Sequence, residues 1–227
     1  IAANLLQEED LALLARAPKG LFQLEVGVQT TSEKTLAGIG RRLDFEKIAH
    51  AVRTLVAAGN IQIHVDLIAG LPGDRLADFA ASFDAVLALR PHRVQLGFLK
   101  LLHGSALRAD FDAGAGTYCP DAPYEVIASS MSYAEVSALK DVEEAVDIYY
   151  NAHAFPITQR SYLTSYSDFE DLARSLRAAG FFDAGQGEIA RVEHLYRALA
   201  PRAGDIALLE NRLRYDWLRK QKRLVRP

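Results

Sequence analysis

One cysteine, one methionine and one tryptophan stand among 227 residues, and each scarcity excludes something. A single thiol, Cys119, forms no intrachain disulfide, so the chain lacks the stapled framework of small secreted domains. One thiol also cannot hold an iron–sulfur cluster or a zinc ribbon, which need several ligands. Long apolar runs are missing too. None approaches the ~20 residues of a membrane helix, and no secretory leader pattern is visible, which sets the expectation of a cytoplasmic protein. There is no surplus of basic residues: 26 Lys and Arg against 29 Asp and Glu give a net charge of −3. A nucleic-acid surface needs the opposite balance. The only methionine is Met131 and the sequence opens at Ile1. The expectation is that an N-terminal part of the same protein precedes it.

What is present is enough for a core. Half the residues are apolar, and a chain of this length buries roughly 70–75% of its unfolded surface. Up to about Leu107, strand and helix signals alternate. Leu21–Val28 reads as a strand, followed by a helical stretch from Ser32. Phe45, Ile48, Val52, Leu55 and Val56 form an apolar stripe at helical spacing that stops at Gly59-Asn60. Ile61–Ile68 is a second strand, ended by the turn Gly70-Leu71-Pro72-Gly73. A helix over Arg75–Leu89 leads past Pro91 to a third strand, Arg93–Leu101. Such alternation predicts parallel strands joined by right-handed crossovers.

After a loop rich in Gly, Ala and Asp (Asp110–Pro123), the pattern reads as helical throughout. Tyr133, Val136, Leu139, Val142, Val146 and Tyr149 make one stripe. Further helices are expected near Asp168–Ala179, Glu188–Leu199 and Asp205–Lys222. The expected organisation is therefore an α/β domain over 1–107 and a helical domain over 108–227.

Each strand carries one apolar and one polar face, because side chains alternate across a strand. Phe22, Leu24, Val26 and Val28 oppose Gln23, Glu25, Gly27 and Gln29. Ile61, Ile63, Val65 and Leu67 oppose Gln62, His64 and Asp66. Val94, Leu96 and Phe98 oppose Gln95 and Gly97. Strands beneath crossover helices are apolar on both faces when both pack into a core. A polar face common to all three strands points instead to a barrel or half-barrel with a functional lumen. An open sheet with one solvated face is the plainer alternative.

Three stretches in order resemble the rear of a radical SAM (S-adenosylmethionine) barrel of the coproporphyrinogen-dehydrogenase-like branch. They are Glu25-Val-Gly-Val-Gln29-Thr followed by Arg41, then Val65-Asp66-Leu-Ile-Ala-Gly-Leu-Pro-Gly73, then Gln95-Leu-Gly-Phe-Leu-Lys-Leu-Leu-His-Gly-Ser105. They are similar to the fourth to sixth strands of such a barrel. The later part, with Ala122-Pro-Tyr-Glu-Val126, Glu143-Glu144 and Asp147-Ile-Tyr-Tyr-Asn151, resembles a C-terminal domain of unknown function. That domain follows the barrel in proteins that often begin with a cobalamin-binding domain. The resemblance implies that Gln29 and Asp66 contact the SAM ribose and that Arg41 reaches its carboxylate, with Glu25 beside them. The resemblance also implies a 4Fe–4S cluster whose ligands lie outside this sequence, and cobalamin in the full-length protein. On the polar face itself, His64, Gln62 and Gln95 are read as contacts to a substrate of unknown identity, a hydrogen-bonded core histidine being the plainer reading of His64. The three-cysteine loop of the family is absent from these residues, so the chain alone is expected to be inactive.

Other readings stay open beside this one. The chain could be a non-catalytic docking module, or a barrel hydrolase with a metal on Asp66 and His64, a sparse ligand set for a first-row metal. His103-Gly104-Ser105 follows a strand end, where barrel sites lie. Cys119 reads as an inert thiol and Tyr149-Tyr150-Asn151 as packing and capping. Arg212, Arg214, Arg219, Lys220, Lys222 and Arg223 read as a solvated basic helix end. With neighbouring strands missing, the first strand would expose an edge. Self-association through that edge, or its cover by Ile1–Leu6, is the expected remedy.

Overall fold

A computed structural model describes residues 1–183 and 187–221. The chain divides into two compact units between Ser137 and Ala138, which falls inside the expected 108–227 domain rather than at its start.

In the first unit the elements run α1 (Glu8–Ala15), β1 (Gln23–Gln29), α2 (Glu33–Gly38), α3 (Phe45–Ala58), β2 (Gln62–Ala69), α4 (Leu76–Ala88), β3 (Arg93–Phe98) and α5 (Ala106–Asp110). The strands form one parallel sheet in the order β1-β2-β3. Three parallel strands flanked by helices, with a helical region to follow, are the arrangement of a partial β/α barrel.

Local chemistry sets these elements. Asp44 caps α3 by accepting from Lys47 N at 3.2 Å, and Gly59 ends it in the left-handed region at φ 69°. Between the caps, Ile48, Val52 and Leu55 point one way and are buried. In α4 the buried face is Phe79, Ser82, Phe83 and Val86. Both helices pack on β2, whose Ile63, Val65 and Leu67 are fully buried. Each such side chain contributes about 1.5–3 kcal/mol of burial. The edge strand β1 is approached by Ile1, whose nitrogen donates to Glu25 O, and the turn Ala3–Leu5, with Ala3 buried, packs on α3.

The third strand ends at Phe98, short of the expected Leu101, and the stretch after it is not helical throughout. β4 (Thr117–Tyr118) and β5 (Val126–Ala128) form an antiparallel ribbon. The reason is backbone satisfaction. Beyond β3, Leu99 O accepts from Val126 N at 2.8 Å and Leu101 N donates to Tyr124 O at 3.0 Å. Ser129 Oγ donates to Gly70 O at 3.1 Å, and Gly73 N donates to Ser130 Oγ at 2.7 Å. The ribbon thereby ties down the C-terminal ends of β2 and β3, and Leu71, Leu99, Leu101, Phe111 and Val126 form a small core beneath it.

The helical region comprises α6 (Tyr133–Val146), continued by a wider turn over Asp147–Asn151, then α7 (Pro156–Tyr162), α8 (Tyr166–Ala178), α9 (Glu188–Leu199) and α10 (Ile206–Lys220). The expected stripe begins at Val136, because Tyr133 in the first turn is 65% exposed. In the second unit a buried carboxylate, Asp216 of α10, accepts from Ile157 N and Thr158 N at 3.1 and 2.8 Å. It caps α7 from far along the chain. Lys222 and Arg223 of the basic tail lie outside the described residues. No helix among those described is long and apolar enough to cross a membrane.

Candidate functional site

The parallel register aligns the polar residues in rows. Gln23 stands opposite Gln62. Glu25, His64 and Arg93 form a second row, and Gly27, Asp66 and Gln95 a third. Six of the seven residues singled out from the sequence thus share one face: Glu25, Gln29, Gln62, His64, Asp66 and Gln95. On this face Gln23, Glu25, Gln62 and Gln95 are open, while His64, Asp66 and Arg93 are half-buried. Gln23 Nε2 lies 3.3 Å from His64 Nδ1.

Gln29 reaches that face through an irregularity. The register slips between Gly27 and Gln29, and Gln29 takes φ 69°, a strained conformation for a residue with a side chain. Its amide folds over Gly27, where a Cβ would stand 2.5 Å from Gln29 Nε2.

Two acceptors on this face, Gln29 Oε1 and Asp66 Oδ1, are buried and without a hydrogen-bond partner among the described residues. The Asp66 carboxyl is held above the usual carboxylate range. Burial is the main cause and Glu25 adds to it, while His64 opposes. Unsatisfied buried acceptors are costly, so the pair marks a place suited to a ligand bearing donors.

Arg41 is not joined to this pair. It lies after α2, on an open pocket of about 510 Å³ lined also by Glu33, Leu36, Gly40 and Arg42. Its backbone is fixed by Arg41 N donating to Leu36 O at 2.8 Å.

Two clusters that sequence reasoning missed flank the strand ends. In the first, Asp74 is fully buried. Its Oδ1 accepts from Thr35 Oγ1 at 3.1 Å and Thr30 Oγ1 at 3.3 Å, while Oδ2 has no partner. Burial outweighs these two donors and pushes the carboxyl to about 6. The available signals were a carboxylate directly after the Gly-Leu-Pro-Gly turn and a serine, Ser82, inside the apolar face of α4. In the second, the Arg108 guanidinium lies between the rings of Tyr118 and Tyr124, 4.6 and 4.8 Å from their centroids. Asp112 Oδ1 accepts from Tyr118 OH at 2.6 Å.

The remaining candidates have structural partners. The His103 ring packs edge-on against Tyr124, and Ser105 caps α5 by accepting from Arg108 N. Cys119 is half-buried and its backbone N donates to Glu125 O. Tyr149 OH donates to Arg191 O at 3.1 Å, and burial pushes this phenol above its usual range. Lys220 pairs with Glu188, and Arg212 lies over the Tyr162 ring. Among the described residues no three His, Cys, Asp or Glu side chains gather as metal ligands, so Asp66 and His64 do not extend into a metal set.

The fold and face thus define a partial β/α barrel with a polar strand surface. Residues 115–227 match the family described as "Protein of unknown function (DUF4080)". A stretch of 82 residues, 36% of the chain, is 34% identical to "Coproporphyrinogen III oxidase, anaerobic 1" of Cereibacter sphaeroides. The oxygen-independent coproporphyrinogen III oxidase of another strain of that species is 33% identical over the same length. The chain spans less than a fifth of these relatives, 18% of each. These likenesses support a radical SAM-like relationship.

Proposed function

We propose that this chain supplies the ribose- and carboxylate-binding side of an S-adenosylmethionine site in a radical SAM barrel. The observation that carries the reading is the pair of orphaned acceptors, Asp66 Oδ1 and Gln29 Oε1, buried on one face of adjacent strands. A ribose diol offers two hydroxyl donors, which is what two unpaired acceptors lack. Arg41, on an open pocket, offers a bidentate fork to the amino-acid carboxylate. Glu25 sits one row from Asp66, and His64, Gln62 and Gln95 line the surface on which a substrate would rest.

When bound next to a reduced cluster, S-adenosylmethionine supplies a carbon radical that abstracts hydrogen. This chain's residues do not fit the cluster: it has one cysteine, and the described residues gather no metal set. The cluster ligands are therefore proposed to come from outside this sequence, and cobalamin has no assigned residue here. What these residues do is bind and orient the cofactor.

Calorimetry with S-adenosylmethionine on the full-length protein tests the reading. Asp66→Ala and Arg41→Ala each remove a charge-assisted contact of about 1.5–3 kcal/mol, so affinity should fall about tenfold to a hundredfold. Unchanged affinity in both variants would overturn the assignment.

A further inference from the structure

Asp74 is a buried carboxylate that touches no exposed surface, and the groups it holds lead directly to the two ends of the proposed cofactor site. Thr30 follows Gln29 in sequence. Thr35 belongs to α2, which runs into the turn carrying Arg41. Both hydroxyls converge on Asp74 Oδ1. The same turn is fastened to α4: Thr31 N donates to Ser82 Oγ at 2.9 Å, and the Thr30 and Thr31 hydroxyls lie 3.3 and 3.0 Å from that oxygen. Ser82 Oγ in turn donates to Asp78 O. Within the turn, Ser32 N donates to Thr30 Oγ1 at 3.1 Å, and Thr35 Oγ1 lies 3.0 Å from Ser32 Oγ. Asp74 itself is pinned by donating its backbone N to Leu71 O.

Stability alone is a poor reason for this arrangement. A carboxylate with one oxygen unpartnered in the interior costs more than an apolar side chain of the same size. What the carboxylate adds is geometry. It fixes a turn that leaves β1 through a strained residue, Gln29 at φ 69°, and such conformations persist only where the surroundings over-determine them.

We infer that Asp74 is a positioning residue that sets Gln29 and Arg41 for the ligand by clamping the β1–α2 turn, an inference that rests on the S-adenosylmethionine reading above. Asp74 makes no contact with the ligand in this scheme and acts through Thr30 and Thr35.

The test compares Asp74→Ala with Asp74→Asn, which keeps one carbonyl acceptor for the two hydroxyls, in the full-length protein. Amide hydrogen exchange over residues 30–41 and calorimetry with S-adenosylmethionine are both read. Asp74→Ala should speed exchange in 30–41 about tenfold and weaken binding about tenfold, the loss expected for one buried hydrogen bond. Exchange in β2 and β3 should stay unchanged, and Asn should restore both readouts. Should Asp74→Ala not fold, Thr30→Val removes one of the two donors and should shift both readouts in the same direction. Exchange in 30–41 that ignores both Asp74→Ala and Thr30→Val overturns the inference, as does tight binding by Asp74→Ala in a protein whose wild type binds. Exchange that responds and is rescued by Asn, in a protein whose wild type shows no affinity for S-adenosylmethionine, overturns the ligand reading instead.

Discussion

The amide of Gln29 occupies the space that a side chain at Gly27 would fill, since a Cβ there would stand 2.5 Å from Gln29 Nε2. Gly27 has an ordinary strand conformation, so its lack of a side chain answers to space and not to backbone freedom. The first prediction follows from that distinction. Gly27→Ala should leave stability within about 1 kcal/mol, because the obstructing atom is the far end of a flexible side chain and alanine lowers the unfolded chain's entropy. It should nonetheless displace the Gln29 amide and weaken S-adenosylmethionine binding about tenfold. Thermal unfolding and calorimetry on the same sample check both halves. A variant that binds as the wild type does would show that Gln29 makes no ligand contact.

Asp74 predicts a pH dependence whose sign is fixed. Its carboxyl lies at about 6 in the fold against 3.8 when unfolded. Between these values the native state holds the proton and the unfolded state has lost it. Stability from this group is therefore full below about 4 and is lost as pH rises through 6. The loss is about 3 kcal/mol. Asp74→Asn carries no such charge, so the stability difference, variant minus wild type, should grow by about 2 kcal/mol between pH 4.5 and 7.5, the rest of the loss falling below that range. Urea unfolding of both proteins across this range checks it, and parallel curves would show that Asp74 does not titrate there.

The sequence made some of this architecture readable and hid the rest for a physical reason. Alternation of period two exposed the polar faces of Glu25, His64, Asp66 and Gln95 because a strand's geometry is local. Helix caps such as Asp44 and the Gly59 stop are equally local. Asp74 with Thr30, and Asp216 with Thr158, are partners 44 and 58 residues apart, and nothing in either neighbourhood announces the other. The ribbon of Thr117–Tyr118 and Val126–Ala128 is too short to show a period. It exists because Leu99 and Leu101 still need backbone partners after β3 ends. Arg41 was legible as a residue type, yet its place on a separate pocket was not.

Arg108 supports that ribbon, and the last prediction separates its charge from its shape. The guanidinium lies between Tyr118 and Tyr124, donates to Leu101 O at 3.2 Å and stands 3.5 Å from Asp112. Tyr118 and Tyr124 belong to the segment that crosses the ends of β2 and β3, whereas Leu101 follows β3. One planar cation thus ties the ribbon to the strand end. A planar group can stack on two rings while donating in its own plane, and an ammonium cannot. Each stacked face contributes about 0.5–1 kcal/mol at a partly exposed site, and the hydrogen bond to Leu101 O adds about 1 kcal/mol. Arg108→Lys keeps the charge near Asp112 but loses the stacking, so it should weaken the ribbon nearly as much as Arg108→Ala, by about 1–3 kcal/mol. Hydrogen exchange over Thr117–Ala128 should accelerate alike in both variants while that of β1 and β2 is unchanged. Full protection in Arg108→Lys would show that charge alone holds the ribbon, with the tyrosine rings contributing only bulk.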